Sequence, residues 1–164
     1  MESNLQKIEH IVVLMLENRS FDNMLGFLGA SDAGGQKVNG VVGKQLSNPI
    51  PEYARPANGI NVVPIGIETD MTNPNPDPGE EYPHVNTQLF GEVIPAENHY
   101  KPFDKPPFNL PNRDSYINAP MNGFVTDYIN NYNAERGYLP KYEEYRVIMN
   151  CHAEESLPVL STLA

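Results

Sequence analysis

A carboxylate and an amide, Glu17 and Asn18, directly follow a run of six apolar residues at positions 11–16. Carboxylate and amide oxygens are hard donors of the kind that Ca²⁺, Mg²⁺ and Mn²⁺ take, and Zn²⁺ also accepts carboxylates. In open α/β sheets, ligands gather outside the carboxyl ends of the strands. The spacing therefore makes Glu17 and Asn18 candidate ligands of a divalent metal ion whose identity stays open.

A plainer interpretation of the same residues is also open at this point. Glu17 can form an ion pair with Arg19 or Lys7, and Asn18 can satisfy the backbone of a turn. On the same grounds, we expect Arg19 and Asp22 to brace the segment locally and not to take part in the chemistry.

The elements that must position this pair begin with the apolar run itself. Residues 11–16 are rich in β-branched side chains and do not alternate, which predicts a strand buried on both faces and favours an α/β fold. Ser20 is suited to cap a short helix that ends near Gly26 or Gly29. The apolar side of that helix would consist of Phe21, Met24, Leu25 and Leu28.

The middle of the chain, residues 30–120, has a different composition. Thirteen of the 16 prolines lie between Pro49 and Pro111, with many glycines and asparagines and no sustained period. This predicts a segment dominated by loops. So long a segment without regular structure is expected only where it is functional or packs on something larger.

Helical periodicity returns in the last third of the chain, with a stripe made of Met121, Phe124, Val125, Tyr128, Ile129 and Tyr132. Pro120 suits the first turn of this helix and Gly137 its end. The tyrosines of the stripe are expected to pack in the core. Cys151, the single cysteine, is also expected to be a packed residue and not a reactive thiol.

A second helix is predicted at the end of the chain, with Ser156 as its cap and Pro158 in its first turn. Leu157, Val159, Leu160 and Leu163 would form an apolar surface that no later element of these 164 residues covers. The pattern favours a truncated chain over a natural terminus.

Composition limits the classes of partner. The 11 basic and 21 acidic residues give a net charge of −10, which argues against nucleic acid. A small phosphate ester stays possible because a bound divalent cation reverses the local field. The N-terminus has no secretory signal pattern, so the default expectation is a cytoplasmic protein, and no apolar stretch approaches the ~20 residues of a transmembrane helix.

The segment KIEHIVVLMLENRSFDNMLGFL, residues 7–28, is more specific than a strand followed by an acid. It resembles the N-terminal signature of the phosphoesterase family that contains non-haemolytic phospholipases C and related acid phosphatases. Further similar segments follow in the family's order: DPGEEYPHVNTQLFG at 77–91, MNGFVTDY at 121–128 and IMNCHAEESLPVLSTLA at 148–164. The resemblance spans nearly the whole chain.

The resemblance implies an α/β fold similar to alkaline phosphatase, here an incomplete sandwich with a buried strand, long loops and amphipathic helices. It implies that Glu17 and Asn18 are metal ligands. The reaction would be hydrolysis of a phosphate ester or phospholipid through a covalent intermediate on a serine or threonine.

The family's nucleophile motif, a hydroxyl residue followed by x-Pro-Asn-Arg, is absent from these 164 residues. The segment NLPNR at 109–113 is similar, but Asn109 holds the hydroxyl position and the segment comes too early in the family's order. An amide cannot attack phosphorus as an activated hydroxyl can. We therefore expect residues 1–164 to be the N-terminal portion of one phosphoesterase domain, with no catalytic nucleophile and little activity without a complementary C-terminal polypeptide.

A second departure concerns the segment at 77–84. Many relatives resemble Asp-Pro-Gly-His there, whereas this chain has Glu80. Glu80, or His84 one turn later, could contact the substrate, and the alternative is a solvated acidic loop through Glu80 and Glu81. The remaining histidines, His10, His99 and His152, show no metal-ligand spacing and receive no role.

Two functional classes follow. The first is the N-terminal part of a metal-dependent phosphoesterase. The second is a non-catalytic module, either a short paralogue or the product of a split gene, that binds a metal, a phosphorylated ligand or a partner polypeptide.

Overall fold

The computed structural model describes residues 7, 9–13, 19–29, 38–91 and 119–164, apart from the side chain of Tyr82. These residues form helices and short strands in the order α1 (Phe21–Leu25), β1 (Ser47–Pro49), β2 (Val62–Pro64), β3 (Gly66–Ile67), α2 (Tyr82–Phe90), α3 (Phe124–Arg136), α4 (Tyr142–Tyr145), β4 (Asn150–Cys151) and α5 (Pro158–Leu163). Single 3₁₀ turns lie at Glu52–Ala54, Arg146–Met149 and Glu154–Ser156.

The strands of the described residues form two small sheets. Strands β1 and β2 pair in antiparallel fashion with Asn48 opposite Val63, and β3 pairs in parallel with β4, with Ile67 opposite Cys151. The mixed arrangement agrees with the α/β class at this coarse level. The alkaline-phosphatase-like sandwich stays a prediction.

Helix α3 forms the centre of the core. Its fully buried Val125, Tyr128 and Ile129 pack with Ile50 and with other buried side chains, namely Val63, Tyr132 and Tyr145. Four residues of the predicted apolar stripe, Val125, Tyr128, Ile129 and Tyr132, are therefore confirmed as buried on a helix. Phe124 is half-buried, and Met121 lies before the helix and is 48% exposed, so the stripe was wrong for Met121.

The tyrosines of this core all have acceptors for their hydroxyl groups, as burial requires. The hydroxyl of Tyr128 donates to the carbonyl of Pro76 at 3.1 Å, and that of Tyr145 to the carbonyl of Ala54 at 3.1 Å. These tyrosines are packing residues, as the sequence predicted.

The start of α3 differs from the prediction. Pro120 was expected in its first turn, but the helix begins at Phe124 because Met121 has a positive φ of 54°, which interrupts helical geometry. Asn48 of β1 caps the helix from another element: its Oδ1 accepts from the Phe124 N–H at 2.8 Å and its Nδ2 donates to the Met121 carbonyl at 3.2 Å. The end at Gly137, with φ of 79°, is as predicted.

Helix α1 also follows the prediction. The side chain of Ser20 accepts a hydrogen bond from the Asn23 N–H at 3.2 Å, and the helix ends at Gly26. For α5 the predicted cap is wrong. Ser156 belongs to the preceding 3₁₀ turn, so Leu157 occupies the cap position without a side-chain bond, and Pro158 starts the helix as expected.

The predicted burial of the first apolar run is wrong for the three of its residues that are described. Ile11, Val12 and Val13 are 81%, 92% and 77% exposed and lie in no strand. A strand buried on both faces needs a neighbour on each side, and no described strand pairs with these residues. Residues 14–18 lie outside the described part of the chain.

Helix α2 was not predicted. Its buried face carries polar residues, among them His84 and Thr87, so no apolar period indicates it. Cys151 is buried and free, and burial raises the pKa of its thiol to about 11, as expected for a packed residue. None of the described helices has the length and apolar character needed to cross a bilayer.

Candidate functional site

A cavity of about 360 Å³ lies between α1, the end of β3, the loop before α2, and helix α3. Arg19 and Ser20, the first described residues after Asn18, are part of its wall. The cavity therefore lies beside the segment that carries the predicted metal ligands.

The wall of the cavity combines apolar and charged side chains. The apolar residues are Val85, Phe124, Tyr128, Val147 and Ile148. The charged side chains are those of Arg19, Glu68, Asp77, Glu80 and Asp127. Four carboxyl groups against one guanidinium give the described wall an excess of acidic groups.

The loop at residues 76–79 forms the polar rim, and neighbouring helices hold it by its main chain. The Tyr128 hydroxyl donates to the Pro76 carbonyl at 3.1 Å, and Asn131 Nδ2 donates to the Asp77 carbonyl at 2.9 Å. From α2, Gln88 Nε2 donates to the Gly79 carbonyl at 2.7 Å. Helices α2 and α3 together set the position of the rim.

A buried polar network lies behind this rim. Asp127, which is 1% exposed, accepts hydrogen bonds from His84 Nδ1 at 2.9 Å and from Gln88 Nε2 at 2.8 Å. His84 is 5% exposed, and its Nε2 lies 3.7 Å from a carboxylate oxygen of Glu81. Each oxygen of the Asp127 carboxyl group therefore has a hydrogen-bond donor.

Burial raises the pKa of Asp127, because desolvation disfavours the carboxylate, and the hydrogen bonds from His84 and Gln88 act in the opposite direction. Gly79 packs directly on the imidazole of His84, since a Cβ at this position would lie 2.1 Å from the ring. The network is thus closely packed as well as hydrogen-bonded.

Arg19, in the wall of the cavity, forms hydrogen bonds with α1 and with the loop at residues 70–73. Its guanidinium donates to Asn23 Oδ1 at 3.0 Å, to the Thr72 carbonyl at 3.1 Å and to Asn73 Oδ1 at 2.6 Å. The Asp70 carboxylate in turn accepts from the Thr72 N–H at 2.7 Å, and its hydrogen bonds from Thr72 lower the pKa of Asp70. Arg19 connects the start of α1 to this loop.

Helix α1 also contacts strand β4, through Asn23. Asn23 Nδ2 donates to the Asn150 carbonyl at 2.8 Å, and the His152 N–H donates to the Asn23 carbonyl at 2.7 Å. Helix α1 is thereby attached to β4, which pairs in parallel with β3.

The predicted site residues have different locations in the structure. Glu17, Asn18 and the Asn109 segment lie outside the described residues, so the metal pair stays a prediction. Glu80 is exposed at the cavity rim, beside the exposed Glu81. His84 does not line the cavity and lies behind it, against Asp127.

The other three histidines also have different locations. His10 is exposed, His152 is buried and His99 lies outside the described residues. No structural observation on the described residues gives His10 or His152 a ligand.

The donor chemistry of the cavity suits a hard cation, since its wall carries several carboxyl groups. No three acidic, histidine or cysteine side chains among the described residues are close enough to one another to hold a metal ion. Glu17 and Asn18 lie outside the described residues, so their role as metal ligands stays a prediction.

Sequence reasoning did not identify Asp127 and Gln88 as site residues. Asp127 is a buried carboxyl group on the helix that carries the apolar stripe, and this mismatch was the available signal. His84 and Gln88 are four residues apart and so face the same partner from one helix, but this spacing has meaning only once α2 is known.

The comparisons with known proteins agree with the family that the sequence resembles. A model described as Phosphoesterase family matches residues 8–164. The chain is 32% identical over 162 residues to non-specific phospholipase C3 of Arabidopsis thaliana. This alignment covers 98% of this chain and 25% of that protein. It is 36% identical over 84 residues to non-specific phospholipase C6 of the same plant, covering 51% of this chain and 14% of the relative.

The chain therefore spans a quarter or less of the length of these curated relatives. No solved structure matches it significantly. The family match extends from the residues before the first apolar run to the last helix and includes every element around the cavity, so this chain belongs to the phosphoesterase family.

Proposed function

We propose that this chain forms one side of the active site of a metal-dependent phosphoesterase of the phospholipase C or acid phosphatase type. The observation that carries the proposal is the cavity whose wall includes Arg19 and Ser20, directly after Glu17 and Asn18. Family membership and the names of the relatives support a phosphate ester as substrate.

In this proposal Glu17 and Asn18 hold a divalent cation, which when bound polarises the phosphoryl group. The described residues orient the surroundings. Arg19 fixes α1 against the loop at 70–73, and Asp127 with Gln88 fixes the rim at 76–79. Phe124 and Tyr128 supply apolar surface to the wall of the cavity.

We also propose that hydrolysis needs a nucleophile from polypeptide beyond these residues. The support is that no segment of the 164 residues has the family's nucleophile motif, and that the chain spans a quarter of the relative it matches end to end. The exposed apolar side chains at 11–13, together with Val159 and Leu163 of α5, 72% and 80% exposed, fit a contact with such a C-terminal polypeptide.

The test combines metal binding with turnover. The chain is titrated with Mg²⁺, Mn²⁺, Ca²⁺ and Zn²⁺ while its melting temperature is followed, and Glu17→Ala is compared with Glu9→Ala, which removes an exposed glutamate before the apolar run. We expect one or more ions to stabilise the wild type and the Glu9 variant, and to leave Glu17→Ala unchanged.

Hydrolysis of phosphodiesters and phosphomonoesters is then assayed for the chain alone and after co-expression with the polypeptide encoded directly downstream. We expect turnover only in the second case. If the isolated chain shows turnover that Glu17→Ala abolishes, the proposal that the nucleophile lies beyond these residues is wrong. If neither turnover nor stabilisation by metal is seen, the enzyme proposal is wrong.

The second candidate function is a non-catalytic module that binds a partner polypeptide. The exposed apolar side chains at both ends of the described chain favour it, because such surfaces mark protein contacts. Metal stabilisation and complex formation without turnover in the co-expressed sample would support the module over the enzyme.

A further inference from the structure

The proposed substrate and most charged side chains of the cavity wall have charges of the same sign. A phosphate ester is an anion, yet the described wall carries the carboxyl groups of Glu68, Asp77, Glu80 and Asp127. A bound divalent cation offsets part of this charge. Arg19 is the only basic side chain among the described residues of the wall.

The hydrogen bonds of Arg19 within the described chain do not pair its charge with a carboxylate, although that charge contributes, after the hydrogen bonds from Thr72, to the lowered pKa of the nearby Asp70. Its three acceptors are the neutral oxygens of Asn23, Thr72 and Asn73. It forms no ion pair with any described carboxylate. The nearby Asp70 carboxylate is engaged instead by both the N–H and the hydroxyl of Thr72.

The same bonds fix the direction of the guanidinium and leave donors free. A guanidinium has five N–H donors, and the three bonds to described residues, one from Nη1 and two from Nη2, leave Nε–H and one Nη1–H without an acceptor among the described residues. Each of these two N–H groups can donate a charge-assisted hydrogen bond to an anion, and a guanidinium held in place before binding loses less entropy when the anion arrives.

We propose that Arg19 binds the phosphoryl oxygens of the substrate, in addition to bracing α1. This inference rests on the proposed function, since it takes the cavity to be the phosphate-ester site. Arg19 thereby selects for the phosphate group itself, independently of the alcohol to which the phosphate is esterified.

The test is titration of the chain with inorganic phosphate at fixed ionic strength in the presence of Mg²⁺, followed by calorimetry and by amide NMR shifts. Arg19→Gln is compared with Arg55→Gln, which removes the same charge from a residue that does not line the cavity and pairs with Glu52. We expect the Kd to rise roughly 10- to 100-fold for Arg19→Gln, as for the loss of a charged hydrogen bond, and to stay within about twofold for Arg55→Gln.

Two further variants keep the result decisive if Arg19→Gln does not fold. Arg19→Lys keeps the charge and loses the five planar donors of the guanidinium, and Asn73→Ala keeps the guanidinium and loses one of its acceptors. Both are expected to weaken phosphate binding by a smaller factor than Arg19→Gln.

The outcomes separate this inference from the proposed function. If the wild type binds no phosphate with Mg²⁺ present, either alone or co-expressed with the downstream polypeptide, both are wrong. If the wild type binds phosphate and Arg19→Gln binds it with the same affinity, the phosphate site stands and the role of Arg19 is wrong. The same conclusion follows if Arg19→Gln does not fold and both Arg19→Lys and Asn73→Ala bind phosphate with wild-type affinity.

Discussion

The imidazole Nδ1 of His84 lies 2.9 Å from Oδ1 of Asp127, and both side chains are buried, Asp127 in the wall of the cavity and His84 behind it. The two residues come from different helices, α2 and α3, and Gln88 completes the network by donating to the second Asp127 oxygen. Because α2 and α3 both hold the loop at 76–79, this contact links the core helix to the rim of the cavity.

Asp127→Asn is expected to destabilise the protein. The carboxyl group that accepts from Gln88 Nε2 and pairs with His84 Nδ1 becomes a neutral amide, so the charge-assisted hydrogen bonds of this buried group are lost. We expect the free energy of unfolding in urea to fall by roughly 1–3 kcal/mol. Asp77→Asn changes an exposed carboxyl group and should stay within about 0.5 kcal/mol of the wild type, and equal stability of the two variants would contradict the prediction.

Gly79→Ala is expected to displace the rim, because the added Cβ would overlap the His84 ring. Overpacking of this kind lowers the free energy of unfolding by about 1–3 kcal/mol. A double-mutant cycle identifies the cause: in a His84→Ala background, the cost of Gly79→Ala should be clearly smaller. An equal cost in both backgrounds would mean that the ring is not the obstacle.

Asn48→Ala is expected to weaken the start of α3, because Asn48 supplies the acceptor for the Phe124 N–H from another element. The loss of a helix cap lowers the free energy of unfolding by about 1–2 kcal/mol. Ser47→Ala, at the neighbouring exposed position of the same strand, serves as the control and should have little effect. Equal melting curves for the two variants would exclude a capping role.

Glu144→Gln is expected to flatten the loss of stability in acid. Hydrogen bonds from the Tyr132 hydroxyl and the Lys141 N–H lower the pKa of Glu144 in the folded protein. The stability contributed by the ionised group is therefore complete above its ordinary pKa and is lost as the pH falls through the lowered value. Wild-type unfolding free energy should fall more steeply than that of Glu144→Gln below about pH 4.5.

The measurement is urea unfolding at a series of pH values from neutral to acid. Glu135→Gln, an exposed glutamate on α3, controls for the loss of a charge. Parallel curves for the wild type and Glu144→Gln would show that the two hydrogen bonds do not favour the ionised carboxyl group.

The elements that the sequence predicted correctly are those with strong local signals. Helix α3 follows from the spacing of apolar residues such as Val125, Tyr128 and Ile129, and α1 from the capping preference of Ser20. Helix α2 escaped prediction because it buries His84 and Thr87, and polar residues on the inner face give no hydrophobic period.

The start of α3 depends on a contact that no local pattern contains. Asn48 is 76 residues away from Phe124 in the chain, and tertiary structure alone brings its side chain to the helix end. The same reason applies to the site. The motif predicted the metal pair from neighbouring residues, whereas the Asp127, His84 and Gln88 network requires two helices to be packed first.

The manner in which the rim is held has a consequence for how substrate preference can change. The bonds from Tyr128, Asn131 and Gln88 all end on main-chain carbonyl oxygens of residues 76–79, which every amino acid possesses. Replacing the side chain of Asp77, or of the adjoining Glu80, therefore alters the charge at the mouth of the cavity while these three bonds persist. Evolution can exchange the chemistry of this edge without rebuilding the scaffold beneath it.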